Sequence, residues 1–124
     1  MSTLNVTNIS DGSNTATIEQ VAKGSAKAWV NFNGTNLSIR SSYNVSSITD
    51  VDDGKYRANF SSGMGNGNYC VTACCSKDNT DDDANFTFAV GAVGNLPTSS
   101  YVPFTYTSGG LRDTSAIYIA AFAD

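Results

Sequence analysis

The chain has no histidine and a single glutamate, Glu19, among its 124 residues. Without an imidazole, a Ser–His or Cys–His nucleophile pair cannot be assembled within it. Paired carboxylates that cleave glycosidic bonds would have to be aspartates. These fall in loop-like stretches with no apolar pocket to raise a catalytic pKa. No catalytic residue is assigned, and the chain is read as a non-enzyme. Charge is sparse as well. Charged residues make up 15% of the chain, with 7 basic against 11 acidic residues and a net charge of -4. The basic residues are scattered, and only Lys55 and Arg57 fall close together. The basic patch that phosphate binding requires is missing, so no nucleic-acid partner is expected. No apolar run approaches the roughly 18 residues of a membrane span. The N-terminus, Met1-Ser-Thr-Leu-Asn-Val-Thr7, carries neither the basic nor the apolar region of a signal peptide. Membrane insertion is not expected.

The cysteines, Cys70, Cys74 and Cys75, are odd in number and clustered, which excludes a disulfide framework. A zinc site needs four ligands, and there is neither a fourth cysteine nor a histidine. The three read as small, buried or half-buried strand residues, with an intermolecular disulfide as the alternative. Asp50-Val-Asp52-Asp53-Gly54 places carboxylates at alternating positions before a glycine, as calcium loops do. It lacks the following glutamate, and a hairpin turn in which Asp and Gly satisfy the local backbone geometry is the preferred reading. Asp78-Asn-Thr-Asp81-Asp82-Asp83 reads as a solvated loop. No metal and no cofactor is expected.

What the chain has instead is Ser, Thr, Asn and Gly mixed with Val, Ile, Tyr and Phe. Leu, Glu, Lys, Gln and Arg, which favour helices, are scarce. This composition predicts an all-β module. Residues 1–25 differ from the rest. Leu4, Val6 and Ile9 are thinly spread, Asp11-Gly-Ser-Asn14 is a turn, and Thr15–Val21 reads as a short strand or extended arm. So polar a segment cannot bury much by itself, so an extended N-terminal arm for attachment or oligomerisation is expected over 1–25. A head domain follows over 26–124.

From Ala26 the alternation is that of strands. Ala28, Val30 and Phe32 face one way, with Lys27, Trp29 and Asn31 opposite. Asn33-Gly34 signals a turn, Leu37 and Ile39 open the next strand, and Asp50–Gly54 forms a loop. Tyr56, Ala58 and Phe60 then alternate with Lys55, Arg57 and Asn59. Tyr69, Val71, Ala73 and Cys75 make a further face, and Phe86, Phe88 and Val90 another. Tyr101–Thr107 reads as a strand that Pro103 places at an edge. Ala116–Ala123 is apolar at nearly every position, so both of its faces should be covered. Short strands separated by Gly, Asn and Asp turns predict an antiparallel β-sandwich or a barrel-like module.

Contact rather than chemistry is the expected business of this chain. The glycine-rich stretch Ser61–Asn68 and the acidic loop are the expected outward tips, with Met64, Asn66, Asn79 and Asp82 as candidate receptor contacts. Trp29 lies opposite the apolar face, either against a neighbouring subunit or as a solvent-facing contact. With Leu4, Val6 and Ile9 of the arm it is a candidate for the subunit interface.

One block is more specific. Ala26-Lys-Ala-Trp-Val-Asn-Phe-Asn-Gly-Thr35, Ile39-Arg40, Tyr43-Asn-Val-Ser-Ser-Ile-Thr-Asp50, Gly54, Tyr56, Asn59-Phe60 and Asn68-Tyr69 resemble a module of bacteriophage tail-fibre and related virion-surface proteins, those of marine phages in particular. Ile117-Tyr-Ile-Ala-Ala-Phe122 is similar to that module's closing strand. The resemblance implies a β-rich head, a homotrimer, other virion proteins as partners, and a host-surface glycan or protein as target. It implies a place on the virion, at the tail or on the capsid surface, after assembly in the cytoplasm of a bacterial host. In that family the module usually closes a longer fibre, whereas here the polar arm stands where a shaft would be. A short tail fibre and a capsid-mounted decoration or head-fibre protein both fit that size. No catalytic residue carries over.

Overall fold

The computed structural model describes residues 1–76, 87–90, 96–107 and 110–123, with the backbone alone for 87–90 and 107. In chain order these form β1 (Asn8–Ser10), β2 (Thr15–Thr17), α1 (Ile18–Gly24), β3 (Ala28–Phe32), β4 (Ile39–Tyr43), β5 (Val45–Asp52), β6 (Lys55–Phe60), β7 (Cys70–Cys75), β8 (Thr87–Val90), β9 (Ser100–Tyr101), β10 (Pro103–Thr107), β11 (Gly110–Leu111) and β12 (Ile117–Phe122). The class is all-β and every strand pair is antiparallel. One sheet has the order β4-β3-β12-β7. A second runs β11-β10-β6-β5, with β8 beside β10 and β9 beside β6. β1 and β2 form a separate hairpin.

The core lies between the two large sheets, and the alternation of the strands builds it. Ala28, Val30 and Phe32 of β3 meet Ile117, Ile119 and Ala121 of β12 on the inner face of the first sheet. Val45, Tyr56, Ala58, Phe60 and Tyr101 face them from the second. Phe32 meets Tyr56 edge-on with ring centroids 5.4 Å apart, and Phe60 meets Tyr69 at 5.9 Å. Such pairings add about 0.5–1.5 kcal/mol each beyond the area they bury.

The chain passes from one sheet to the other at Asn44, a left-handed residue with φ 55° between β4 and β5. Asparagine tolerates that conformation, and its side chain ties the corner down. Its Nδ2 donates to the carbonyls of Lys27 (3.1 Å) and Ser62 (3.0 Å), and its Oδ1 accepts from the Ser62 N–H (2.7 Å).

A second polar knot closes the far end of the sandwich. The Tyr56 hydroxyl donates to Asp113 Oδ1 at 2.7 Å, and the Gly54 N–H donates to the same oxygen at 2.8 Å. Gly34 sits against the Tyr56 hydroxyl. An added Cβ there would fall 2.7 Å from the Thr114 carbonyl oxygen. The glycine of Asn33-Gly34 is therefore required by close packing, and the β3–β4 connection spans Asn33 to Ser38 instead of forming a two-residue turn.

Several sequence-based expectations change. Thr15–Val21 is strand only as far as Thr17. The helix α1 follows, because Thr17 and Gln20 form a reciprocal capping box: the Gln20 N–H donates to Thr17 Oγ1 at 3.1 Å, and the Thr17 N–H donates to Gln20 Oε1 at 2.8 Å. Asp50–Asp52 continues β5, and only Asp53-Gly54 turns. Pro103 does not mark an edge. β10 pairs with β8, β6 and β11, and the proline is tolerated as the strand's first residue. β12 is central between β3 and β7, yet only one of its faces is buried: Tyr118 is exposed, and Ala120 and Phe122 are half-buried. Cys70 and Cys74 are exposed rather than buried, and Cys75 is half-buried. The parity of β7 puts Cys70 and Cys74 on the outer face, while burial and the neighbouring Cys74 push the Cys75 thiol up. The acidic loop Asp78–Asp83 and Phe86 lie outside the described residues.

Candidate functional site

Sheet register assembles the site from four strands. In β3 the residues between the core positions are Trp29 and Asn31. β12 sets Ala120 beside Trp29 and Tyr118 beside Asn31. β7 sets Thr72 beside Ala120, Cys74 beside Tyr118 and Cys70 beside Phe122. β4 sets Tyr43 beside Trp29 and Ser41 beside Asn31. Directly paired residues share a face, so the outer face carries two rows, Ser41-Asn31-Tyr118-Cys74 and Tyr43-Trp29-Ala120-Thr72.

Three large aromatics on this face stay in water: Trp29 at 39%, Tyr43 at 57% and Tyr118 at 41% of full exposure. An open depression of about 370 Å³ lies among Trp29, Asn31, Thr72, Cys74, Tyr118 and Ala120. Its lining is overwhelmingly apolar. Charge is confined to the rim. Arg40 donates to Asn31 Oδ1 (3.3 Å) and to the Ser115 carbonyl (2.6 Å), while Lys27 Nζ donates to the Ala22 carbonyl (2.6 Å). A face with three exposed aromatics and no central charge has the composition of the middle of a protein–protein contact.

The residues singled out from sequence part company here. Trp29 is at the centre of the outer face. Met64 is not an outward contact: its side chain is buried at 7% exposure in the core, and its N–H donates to the Thr98 carbonyl at 2.7 Å. The glycines on either side let the chain turn the one apolar side chain of that loop inward. Asn66 is exposed, and its Oδ1 accepts from the Asn68 N–H within the loop. Asn79 and Asp82 lie outside the described residues. Leu4 and Ile9 are exposed at 84% and 53%, and Val6 is half-buried. Tyr43, Tyr118 and the two exposed cysteines were missed as site residues. Strand parity alone would have placed Tyr118 with Ala120, opposite Ile117 and Ile119.

The acidic turn uses its carboxylates locally. Asp53 Oδ1 accepts from the Asp113 N–H, and Asp52 Oδ1 accepts from the Asp53 N–H. Among the described residues, no cluster of three acidic or thiol side chains is placed to hold a metal ion. No described helix is long and apolar enough to cross a membrane.

Compared with protein-family models, with curated proteins and with solved structures, the chain matches none.

Proposed function

We propose that this chain is a bacteriophage virion-surface protein of tail-fibre type, which acts by binding, assembles as a homotrimer and takes part in attachment to the host surface. The observation that carries the reading is the uncovered aromatic face. Trp29 and Tyr43 belong to the blocks Ala26–Thr35 and Tyr43–Asp50 on which the resemblance rests, and Tyr118 belongs to the closing strand. The same residue blocks thus supply the core through Ala28, Val30 and Phe32 and the contact surface through Trp29 and Tyr43. A sandwich that leaves such a surface open is built to be completed by partners.

A second reading, capsid decoration, has its own support. The N-terminal hairpin and helix hold no buried helical residue and expose Leu4 and Ile9, as a segment that docks on a shell would. Locating the protein on intact particles by labelling or image reconstruction, together with adsorption assays, separates the two. The tail-fibre reading expects density at the tail and fewer adsorbed phages when purified protein is added to host cells. Density on the capsid with unchanged adsorption would move the assignment to decoration, and absence from particles would remove both.

A further inference from the structure

We propose that Asn66 is a site of self-modification: in the folded protein the backbone nitrogen of Gly67 converts its side-chain amide to a carboxylate, with water as the only other reactant. The site stands apart from the aromatic face and does not depend on what covers that face.

The chain holds two Asn-Gly pairs, Asn33-Gly34 and Asn66-Gly67. Glycine has no Cβ to shield its amide nitrogen, so that nitrogen can approach the carbonyl carbon of the asparagine side chain before it. Both asparagines adopt the same local turn. Asn33 Oδ1 accepts from the Thr35 N–H and Asn66 Oδ1 from the Asn68 N–H, each at 2.8 Å. That bond places a donor on the oxygen where negative charge grows as Cγ is attacked. The two sites share this hydrogen bond and differ at the nucleophile.

At Gly34 the nucleophile is locked. Gly34 is buried, its N–H donates to the Thr114 carbonyl at 2.9 Å, and the Tyr56 hydroxyl packs against it. The nitrogen attacks only after losing its proton, and this one must first leave a buried hydrogen bond. Gly67 differs. Its carbonyl accepts from the Leu96 N–H at 3.1 Å, while its N–H donates to no acceptor among the described residues. Asn66 and Asn68 on either side of it are exposed, so water and hydroxide reach the site. The Asp-Gly pairs are held like Gly34: the Gly12 N–H donates to Ser10 Oγ at 3.1 Å and the Gly54 N–H to Asp113 Oδ1 at 2.8 Å.

In the reaction, hydroxide takes the Gly67 amide proton. The electron pair of the nitrogen forms a bond to Asn66 Cγ and the Cγ–Nδ2 bond breaks. Nδ2 leaves as ammonia with a proton from water, which regenerates the hydroxide. A cyclic imide remains. Water opens it at Cγ to give aspartate, or at the main-chain carbonyl to give isoaspartate, whose backbone runs through the former side chain. Nothing is oxidised or reduced. Either product adds a negative charge to a chain of net charge -4, on the stretch Ser61–Asn68, which otherwise has no charged side chain. Because the step is one-way, the charge of this loop records the age of the protein.

The test follows the folded, full-length chain in mildly alkaline buffer, with circular dichroism confirming that the sheet persists. Peptide mass spectrometry reads amide-to-carboxylate conversion at each asparagine, and an isoaspartyl methyltransferase labels the isomerised product. Asn66 should convert at least about tenfold faster than Asn33, since Gly34 reacts only in locally opened molecules. On ion exchange the chain should acquire an acidic species that Asn66→Gln does not form. In denaturant, where neither nitrogen is held, the two rates should converge. Equal conversion of Asn33 and Asn66 in the folded chain overturns the assignment, as does an Asn66 that stays intact there while the denatured chain reacts at both pairs. A gap that persists undiminished in denaturant would come from sequence and would sink the structural account as well.

Discussion

Raising the pH from about 8 to about 12 should unfold this protein cooperatively, with loss of the sheet signal and ionisation of its buried tyrosines in one transition. Three buried tyrosines cause this. Tyr56, Tyr69 and Tyr101 are 0%, 4% and 1% exposed. Burial pushes the Tyr69 phenol up to about 12 and raises Tyr101, with a further contribution from Tyr69 nearby. Burial also raises Tyr56, and the hydrogen bond to the Asp113 carboxylate, with its negative charge, adds to the effect. Each phenol ionises more readily in the unfolded chain, near its ordinary value of about 10, than in the folded one. Their contribution is therefore fully present below about pH 10 and is lost as pH rises towards the folded values. Each group costs up to about 1.4 kcal/mol per pH unit over that window. Three together reach about 8 kcal/mol over two units, as large as the usual net stability of a domain, about 5–15 kcal/mol. Tyr69→Phe removes one of the three at the loss of two hydrogen bonds, to the Pro97 and Ser100 carbonyls, and should make the transition shallower. A sheet spectrum unchanged at about pH 12 would contradict this account.

Gly54→Ala should destabilise the fold by about 3 kcal/mol and lower Tm by about 10 °C. Gly54 has φ 63°, a left-handed conformation that costs a residue with a Cβ about 1–2 kcal/mol. The added Cβ would also collide with the Arg112 backbone nitrogen and lie 2.7 Å from the Thr105 carbonyl oxygen and 2.8 Å from that of Arg112. Those atoms are backbone and cannot swing aside, so overpacking adds about 1–3 kcal/mol. The residue is further held by the hydrogen bonds from its N–H to Asp113 and from the Thr105 N–H to its carbonyl. Gly65→Ala is the control. Its Cβ meets nothing within 4 Å, and its melting temperature should barely move. Equal melting temperatures for the two variants would show that the Gly54 contacts do not constrain the fold.

The strands were legible because half-buried strands alternate. Ala28/Val30/Phe32, Tyr56/Ala58/Phe60 and Val71/Ala73/Cys75 all point as their spacing predicts. The antiparallel sandwich followed from short strands and polar turns. Other features leave no local trace. An apolar run such as Ile117–Phe122 reports that its residues avoid water, not whether a second layer or a partner does the covering. Hence the exposed side of β12 was read as buried. The helix α1 spans too few residues to show a period, and its one signal was the Thr17…Gln20 spacing. Met64 sat among glycines that suggested an outward loop, and only its hydrogen bond to Thr98 and its place in the core reveal the opposite. Trp29 was recognised from parity. Tyr43 joins it through a cross-strand register that includes a shift at Asn31/Phe32, which spacing does not encode.

Trp29 is the chain's single tryptophan and stands at the centre of the outer face. Its fluorescence therefore reports on that face alone. If the face is the contact surface, emission from the assembled protein will be blue-shifted and shielded from acrylamide, and dilution to monomer will shift it red and open it to the quencher. Emission that is red-shifted and freely quenched at every concentration, in a protein that is assembled by mass, would contradict the account, because the copies would then meet elsewhere and the face would stand open.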